Sequence, residues 1–474
     1  MRLIVFSLAA SAAALLAGCA PDLGKAPDMR TASSLPSTRT IAAVPGTNRD
    51  WPATAWWTGF RDPQLTALID EALRNSPDLA AAVSRITAAD ALARQSRAAL
   101  SPTLSADGIV GGNKQSRNLG IPPQFVPEGI QDTGRLTGTG SFSLDLWGKN
   151  RAALAAATSE AEAARVDADQ ARLMLATNIA TAYAELAQYH AERDVALEAL
   201  RVRGASAQLT TQRVDVGVDA VGSQRQAESR VPAARADIAA LDEAIALTRN
   251  RIAALVGAGP DRGLSIARPT IAAASVGVPD SAGIDLIGRR PDIVAARLRA
   301  EAAAKRIKVA RADFYPNISL SAIVGLQSLG LGRLIEGDSS YGTAGAAFSL
   351  PIFDGGRVRG RYVQARADYD NAVATYDRTL IAALREVADA VASRRALDTR
   401  LAEQRASLAS AADASRIAAL RYRGGLSTQL TVLTANDYQL TARRAVADLE
   451  ARRIALDVAL IRALGGGYTD METK

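Results

Sequence analysis

Residues 136–146 read LTGTGSFSLDL, and this stretch decides the fold because its side chains alternate strictly between two kinds. One set holds leucine, glycine and phenylalanine, and the other holds threonine, serine and aspartate. Such alternation is typical of a β-strand with one apolar and one polar face. Three further stretches, beginning near residues 103, 317 and 341, show the same pattern. The sequence therefore predicts four strands of about ten residues, the length that a tilted membrane-spanning strand needs.

The strand pattern leaves two interpretations open. One is an ordinary soluble sheet with one buried face. The other is a membrane sheet, in which an open edge would leave backbone groups unpaired in lipid. Four strands cannot close a barrel, because known transmembrane barrels begin at about eight strands. If these strands lie in a membrane, the barrel must be shared between subunits.

An uninterrupted helical pattern follows each predicted strand pair. The first runs over residues 148–216, which corresponds to about 100 Å of α-helix. Heptad-like apolar spacing with many intervening alanines predicts that each long helix has close neighbours along its length. Gly217 and the Gly424-Gly425 pair interrupt the two patterns, and helix resumes directly afterwards. These glycines predict the turns of two long helical hairpins.

The chain contains an internal duplication. Residues 76–79, SPDL, recur 214 positions later as RPDI at 290–293, and SPTLS at 101–105 recurs at the same offset as YPNIS. The two hairpin turns recur at an offset of 208, because Arg213 and Gly217 match Arg421 and Gly425. Repeats of this size indicate one structural plan used twice.

The duplication sets the predicted domain boundaries. We predict a signal peptide over 1–18, a lipid-anchored tether over 19–50, a first repeat over 51–256, a linker over 257–281 and a second repeat over 282–467. The first repeat is expected to contain short helices, a β-hairpin over 103–146 and a helical hairpin over 148–256. The second repeat is expected to contain a helix, a β-hairpin over 317–350 and a helical hairpin over 356–464.

The N-terminus resembles that of a bacterial lipoprotein. A charged start precedes a short apolar run over 3–16, as in a secretory signal. The run ends in Leu16-Ala17-Gly18-Cys19, which resembles a lipobox, in which the cysteine thiol is acylated. Cys19 is the single cysteine of the chain, which excludes a disulfide within one subunit. Ala20 follows it in place of the aspartate that commonly signals inner-membrane retention, and this favours the outer membrane.

The composition of the chain argues against a catalytic, metal or nucleotide site. The excess of +7 charges is spread along the helices, so we expect no nucleic-acid partner. A single histidine, His190, excludes a multi-histidine metal site. Gly148-Lys149 does not form a phosphate loop, because Ser143 and Asn150 replace the required glycine and hydroxyl residue. We predict that the protein is not an enzyme, and that it holds no metal and no cofactor apart from its covalent lipid.

Several motifs resemble those of TolC/OprM-type outer-membrane efflux factors, in the branch of NodT lipoproteins. The resemblance covers essentially the whole mature chain. The motifs are Trp56-Trp57 with Phe60 and Asp62-Pro63, Asp145-Leu146-Trp147-Gly148-Lys149, Arg289-Arg290-Pro291-Asp292-Ile293, Phe314-Tyr315-Pro316, Leu350-Pro351-Ile352-Phe353-Asp354-Gly355-Gly356 and Ala463-Leu464-Gly465-Gly466-Gly467.

The resemblance implies a mainly α fold with a small β part. It implies a homotrimer in which long antiparallel helical hairpins form an α-barrel, and in which each protomer adds four transmembrane strands to a shared twelve-stranded barrel. The implied function is a passive outer-membrane conduit for small molecules, which meets a periplasmic adaptor and an inner-membrane pump of the RND type. The alternative is a periplasmic coiled-coil adaptor or scaffold lipoprotein, which would not need two strand pairs.

The resemblance also assigns site residues near the hairpin turns. Leu430 falls on an apolar constriction ring, and Thr434 falls where relatives often carry an aspartate, so an acidic gate is not implied. Arg421 and Arg423 would pair with acids between helices to hold the tip closed. For Leu430 plain helix packing stays open, and for the arginines a solvated or carbonyl-capping role stays open. The expected adaptor-contacting residues are Arg213, Gly217, Asp219, Gly424, Gly425 and Ser427.

Overall fold

The computed structural model describes residues 21–41, 50–118, 120–272, 274, 276–279 and 282–470. The predicted signal peptide and Cys19 lie outside the described residues. The chain divides into two compact units. Among the described residues, unit one holds 21–29, Ile86–Ala164 and Ala296–Tyr376, and unit two holds those within 30–85, 165–295 and 377–470.

Helices make up most of the structure. Within the described chain, none of them is both long enough and apolar enough to cross a lipid bilayer. In chain order they are α1 Pro63–Asn75, α2 Pro77–Ala98, α3 Lys149–Asp215, α4 Val221–Leu255, α5 Ala282–Arg289, α6 Pro291–Ala312, α7 Arg357–Arg423 and α8 Gln429–Ala463.

The helix lengths repeat as the sequence does. Helices α2 and α6 each have 22 residues, α3 and α7 each have 67, and α4 and α8 each have 35. The predicted mainly α fold, with long helical hairpins and a small sheet, is therefore confirmed.

Unit one contains one four-stranded antiparallel sheet with the order β1-β2-β3-β4. The strands are β1 Thr103–Asn113, β2 Gln131–Ser143, β3 Asn317–Leu329 and β4 Ser340–Ser349. The pairing of β2 with β3 joins the two repeats, and β1 and β4 are the sheet edges.

The register places the apolar positions of all four strands on one face. Gly138 lies opposite both Ala106 and Val324, and Val324 lies opposite Gly342. Because side chains of directly opposed residues share a face, the alternating patterns of the strands line up. The large side chains on this apolar face are Leu104, Val110, Leu136, Phe142, Leu320, Val324, Leu326 and Phe348.

The second strand ends earlier than its alternating pattern. We expected strand to continue to residue 146, but β2 stops at Ser143. Asp145 has a φ of 44°, and its carboxylate accepts hydrogen bonds from the backbone N–H groups of Asn150 and Arg151, at 2.8 and 3.0 Å. A carboxylate just before a helix accepts hydrogen bonds from the free N–H groups of the first turn, and its negative charge interacts favourably with the helix dipole. Asp145 therefore starts α3 and does not extend β2.

Unit two has a hydrophobic core around the N-terminus of α1. Its fully buried members include Phe60, Leu65, Leu68, Ile69, Ile179, Tyr183, Leu186, Ile252 and Ile266. The carboxylate of Asp62 caps α1 by accepting from the backbone of Leu65 at 3.1 Å, and it also accepts from the Tyr183 hydroxyl at 2.9 Å and the Thr270 backbone at 2.8 Å. Burial raises the pKa of Asp62, but these hydrogen bonds outweigh burial and lower it below its usual value. One carboxylate thus joins α1, α3 and the inter-repeat linker.

The segment predicted as an extended tether over 19–50 is held against the protein where it is described. In unit one, the Arg366 guanidinium donates to the Gly24 carbonyl at 3.2 Å and the Tyr369 hydroxyl donates to the Pro27 carbonyl at 3.0 Å. These bonds satisfy backbone acceptors that an extended segment leaves free. Two single helical turns follow in unit two, at Ala32–Ser34 and Thr38–Ile41.

The predicted linker likewise contains structure, because a single helical turn at Asp261–Leu264 precedes the core residue Ile266.

Each long helical hairpin ends at a glycine that packs against the C-terminal end of an earlier helix. Gly257 has a φ of 79° and Gly465 a φ of 86°. A Cβ at Gly257 would lie 2.7 Å from the Asn75 carbonyl oxygen, and one at Gly465 would lie 1.9 Å from that of Arg289. Asn75 and Arg289 are 214 positions apart, which is the offset between the two repeats in this part of the chain. The end of each helical hairpin therefore packs against the equivalent residue of its own repeat. No residue with a side chain fits either position without backbone movement.

Replacing Gly465 by alanine should therefore destabilise the protein. The left-handed backbone and the clash with the Arg289 carbonyl together should lower the free energy of unfolding by about 3 kcal/mol. Gly204 in α3 is the matched control, because a Cβ there meets nothing within 4 Å. Gly204→Ala should raise the free energy of unfolding by about 0.5–1 kcal/mol. Thermal unfolding followed by far-ultraviolet circular dichroism measures both, and an unchanged melting temperature for Gly465→Ala would contradict the close packing.

Candidate functional site

The two hairpin turns in unit two have the same backbone geometry. Gly217 has a φ of 75° and Gly425 a φ of 74°. At the first turn the N–H of Val218 donates to the Arg213 carbonyl at 2.8 Å, and at the second the N–H of Leu426 donates to the Arg421 carbonyl, also at 2.8 Å. This arrangement ends a helix at a left-handed glycine and satisfies its last carbonyls. Both turns therefore lie at the glycines from which they were predicted.

One ionic cluster joins the two turns. The Arg213 Nε lies 3.0 Å from the Asp219 carboxylate, and its guanidinium lies 4.5 Å above the Tyr422 ring. The Tyr422 hydroxyl donates a hydrogen bond to the same carboxylate. Tyr422 is 1% exposed and packs with Ala418 and Val432. Asp219 therefore receives two donors, one from each repeat, and ties the first turn to the end of α7.

The Tyr422 hydroxyl keeps its proton at neutral pH. Burial, followed by the hydrogen bond to Asp219, raises the pKa of Tyr422 above its usual value of 10.0. The phenol therefore stays a hydrogen-bond donor across the physiological range. A buried donor paired with a carboxylate contributes about 1.5–3 kcal/mol to the local structure.

The residues predicted to contact an adaptor fall into two groups. Arg213 and Asp219 are engaged with each other and with Tyr422, so their structural role is to join the two turns. Ser427 is the counterpart of Asp219 in the second repeat, and its hydroxyl is buried without a hydrogen-bond partner among the described residues. The exposed apolar side chains at the turns include Val216, Val218 and Leu426.

A second polar cluster lies farther from the turns. Asp437 of α8 pairs with Arg203 of α3 at 3.7 Å and also accepts a hydrogen bond from Arg230 of α4. Ser206 of α3 and Gln429 of α8 are hydrogen bonded to each other. Neither this cluster nor the role of Tyr422 was predicted from the sequence. The one available signal was a bulky tyrosine between two arginines, Arg-Tyr-Arg, directly before the glycine turn in an alanine-rich helix.

The predicted constriction residues lie on the surface of a single chain. The side chain of Leu430 is 56% exposed. The Thr434 hydroxyl donates to the Leu430 carbonyl at 2.9 Å, so this donor is used within the helix. Arg421 and Arg423 are exposed, and neither forms an ion pair with any residue that the structure describes. The roles assigned to these four residues remain predictions.

The apolar face of the sheet in unit one is open to the surroundings. Leu104 is 88% exposed, Phe348 80%, Val110 70% and Val324 70%. The opposite face carries hydroxyl groups, and there Thr137 and Tyr341 are hydrogen bonded at 2.6 Å. An exposed apolar surface of this kind marks contact with a partner or a lipid phase.

The ligands of a metal site do not converge in the described part of the chain. No cluster of three or more histidine, cysteine, aspartate or glutamate side chains there could hold a metal ion. His190 is half-buried, and burial together with the neighbouring Arg249 lowers its pKa below the usual 6.5. It is therefore a neutral imidazole at pH 7.

The sequence matches the family described as "Outer membrane efflux protein" over residues 68–258 and 285–466. Each of these segments covers most of one predicted repeat. The antibiotic efflux pump outer membrane protein ArpC of Pseudomonas putida is 30% identical over 466 residues, which cover 96% of this chain and 94% of ArpC.

Two further comparisons agree. The fusaric acid resistance protein FusA of Burkholderia cepacia is 37% identical over 346 residues, and the match spans 69% of this chain and 62% of FusA. The solved structure of the outer membrane protein VceC of Vibrio cholerae has a TM-score of 0.84 and 42% identity, with 88% of this chain and all of that chain covered.

The substitution Tyr422→Phe tests the cluster at the turns. Loss of the hydroxyl removes one hydrogen-bond donor from the Asp219 carboxylate. Each loss of about 1.4 kcal/mol in the stability of this contact should raise the rate of local opening about tenfold. Hydrogen exchange of residues 213–219 measures the opening. Tyr438→Phe is the matched control, because that side chain is 70% exposed on α8. Equal exchange in both variants would show that the Tyr422 hydroxyl does not hold the turn.

Proposed function

This chain belongs to the outer membrane efflux protein family, and we propose that three identical copies of it form a lipid-anchored, passive exit duct. The protein is an outer-membrane channel subunit that takes part in tripartite efflux together with an adaptor and an inner-membrane pump.

The single observation that carries the proposal is the open four-stranded sheet with one exposed apolar face. Strands β1 and β4 are both edges. In a bilayer every backbone N–H and C=O must find a partner within the protein, so open edges cannot face lipid. Copies of the chain satisfy this requirement when β1 of one pairs with β4 of the next. Three copies give twelve strands, in which apolar residues such as Val324 face lipid and the hydroxyl face lines the lumen.

Lipid anchoring completes the outer-membrane assignment. We assign the covalent lipid to Cys19, following the lipobox-like sequence, with residues 1–18 removed as a signal peptide. Covalent lipid contributes about 0.8 kcal/mol per buried CH₂, and contacts between protein and membrane add to it. The apolar face of the sheet supplies those contacts. The lipid therefore assists a subunit whose main membrane contact is its strands.

The duct has no chemistry of its own. Substrate released by the inner-membrane pump, which we take to be of the RND type, enters a water-filled tunnel between the helical hairpins. Leu430 narrows the tunnel near the turns, and Thr434 adds no charge there. Arg421 and Arg423 help to hold the tip closed. The turns around Gly217, Gly424, Gly425 and Ser427, with the exposed apolar side chains beside them, form the surface that meets the periplasmic adaptor. No cofactor is needed, because the energy comes from the pump.

The names of the relatives give the class of cargo. ArpC is named for antibiotic efflux and FusA for resistance to fusaric acid. We infer that this chain also exports small organic toxicants. Selectivity then lies mainly in the pump, because a conduit that binds its cargo tightly would release it slowly.

Conductance in a planar bilayer tests the duct directly. The full chain, extracted from membranes in detergent, should have the native mass of a trimer and should form discrete channels. Val324→Arg places a charge on the apolar face and should reduce membrane insertion, because arginine at the bilayer midplane costs about 2–4 kcal/mol. Ser321→Arg is the matched control on the other face of the same strand, and it should insert normally and change the conductance. A soluble or non-conducting species would favour the scaffold alternative.

Metabolic labelling with radioactive palmitate tests the anchor. The wild-type chain should be labelled and Cys19→Ser should not, because the chain offers one thiol. Cys19→Ala serves as a second unlabelled variant that excludes transfer to the serine oxygen. Equal labelling of all three proteins would place the lipid elsewhere.

A further inference from the structure

A cleft in unit one lies where the sheet meets the helices. Its volume is about 520 Å³. Residues at or beside the ends of α2 and α6, the starts of α3 and α7, and the adjoining ends of three strands line it. A cleft of this volume is large enough to hold a small organic molecule.

Three strand residues place the cleft on the hydroxyl side of the sheet. Ser143 ends β2, Asn317 begins β3 and Ser349 ends β4, and all three line the cleft. They occupy the polar positions of the alternating pattern, and Asn317 lies directly opposite Ser349, so their side chains share a face. In the channel proposed above this face lines the lumen. The cleft therefore opens toward the path of the cargo.

Two arginines line the cleft with their hydrogen-bond donors unused. Arg357 and Arg361 lie one turn apart at the start of α7, and their side chains are 54% and 57% exposed. The carboxylates of Asp354 and Asp313 are each 3.9 Å away, beyond hydrogen-bond reach. Neither guanidinium donates a hydrogen bond to another residue that the structure describes. Both groups are therefore free to bind an anion.

The two neighbouring carboxylates are already engaged. Asp313 forms a 2.6 Å ion pair with Lys149 of α3. Asp354 accepts hydrogen bonds from the backbone N–H groups of Gly356 and Val358, at 3.0 and 2.8 Å, and so satisfies donors at the start of α7. Cations one turn apart repel each other, and at a helix N-terminus they oppose the dipole. Local stability therefore disfavours the two arginines, and a bound anion would offset both effects.

One wall of the cleft is aromatic. Trp147 stacks on Tyr315 with 4.8 Å between the ring centroids and 22° between the ring planes, and both residues line the cleft. The indole N–H of Trp147 donates to the Pro316 carbonyl at 2.8 Å. These two contacts fix the indole ring, which is still 50% exposed. A fixed aromatic surface can bind the ring of a ligand at little cost in conformational entropy.

We propose that this cleft is a transit site for organic anions that carry an aromatic ring. The carboxylate of the ligand accepts hydrogen bonds from Arg357 and Arg361, whose planar guanidinium groups match its geometry, and the ring lies against Trp147. Because both cations are half exposed, binding is weak and release is fast, as a conduit requires. The inference rests on the proposed channel and adds a preference among its cargoes.

Ion selectivity in a planar bilayer tests the site. With a gradient of potassium benzoate across the wild-type channel, the potential at zero current gives the permeability of benzoate relative to potassium. Arg357→Gln and Arg361→Gln, made singly, should each lower this ratio about threefold, which is the effect of one half-exposed ion pair. Trp147→Leu should lower the ratio for benzoate but not the ratio measured with potassium chloride, because chloride has no ring.

Arg359→Gln is the matched control. It removes the same charge from the same part of α7, but Arg359 is exposed and does not line the cleft. This variant should keep the wild-type benzoate ratio, and the native mass of every variant is measured so that only assembled channels are compared. Equal ratios in the wild type, Arg357→Gln and Arg361→Gln, or an equal loss in Arg359→Gln, would overturn the inference alone. A wild-type chain that forms no channel would overturn the proposed function as well.

Discussion

The close approach of long alanine-rich helices is the constraint on which the rest of the structure depends. Helices α3 and α7 have 67 residues each, and aromatic residues form only 4% of the chain. Small side chains bury little area individually, so stabilisation must come from many contacts spread along the helix. Each long helix therefore needs a neighbour over its whole length. The hairpins, their duplication and the polar pairs that hold their register all serve this requirement.

Much of the fold could be predicted because its signals are local. Strand alternation from Leu136 and the glycines at 217 and 425 indicated strands and turns without any knowledge of tertiary contacts. The end of β2 could not be predicted in this way. Asp145 continues the alternating pattern but is used as a helix cap, and capping depends on a backbone conformation that periodicity does not encode. The same holds for the segment at Gly24, whose position depends on hydrogen bonds from α7.

The site was less predictable than the fold, since its main contact joins residues far apart in sequence. Asp219 and Tyr422 are 203 positions apart, and only the packing of the two hairpins brings them together. Sequence reasoning assigned the holding role to Arg421 and Arg423, which are charged and near a turn. In the single chain the buried Tyr422 between them makes the contact, and the two arginines lie on the surface. The role of Arg421 and Arg423 stays a prediction, and Tyr422 adds a buried contact that charge alone does not indicate.

The equality of the hairpin lengths has an evolutionary consequence. An insertion or deletion in one hairpin would leave its turn out of step with the other, and would separate Arg213 from Tyr422. Length can therefore change only when both repeats gain or lose the same number of residues. The strand connections are free of this coupling, and they differ between repeats, at residues 114–130 and 330–339. Lineages of this protein should thus diversify in their strand loops while their hairpins lengthen or shorten in concert.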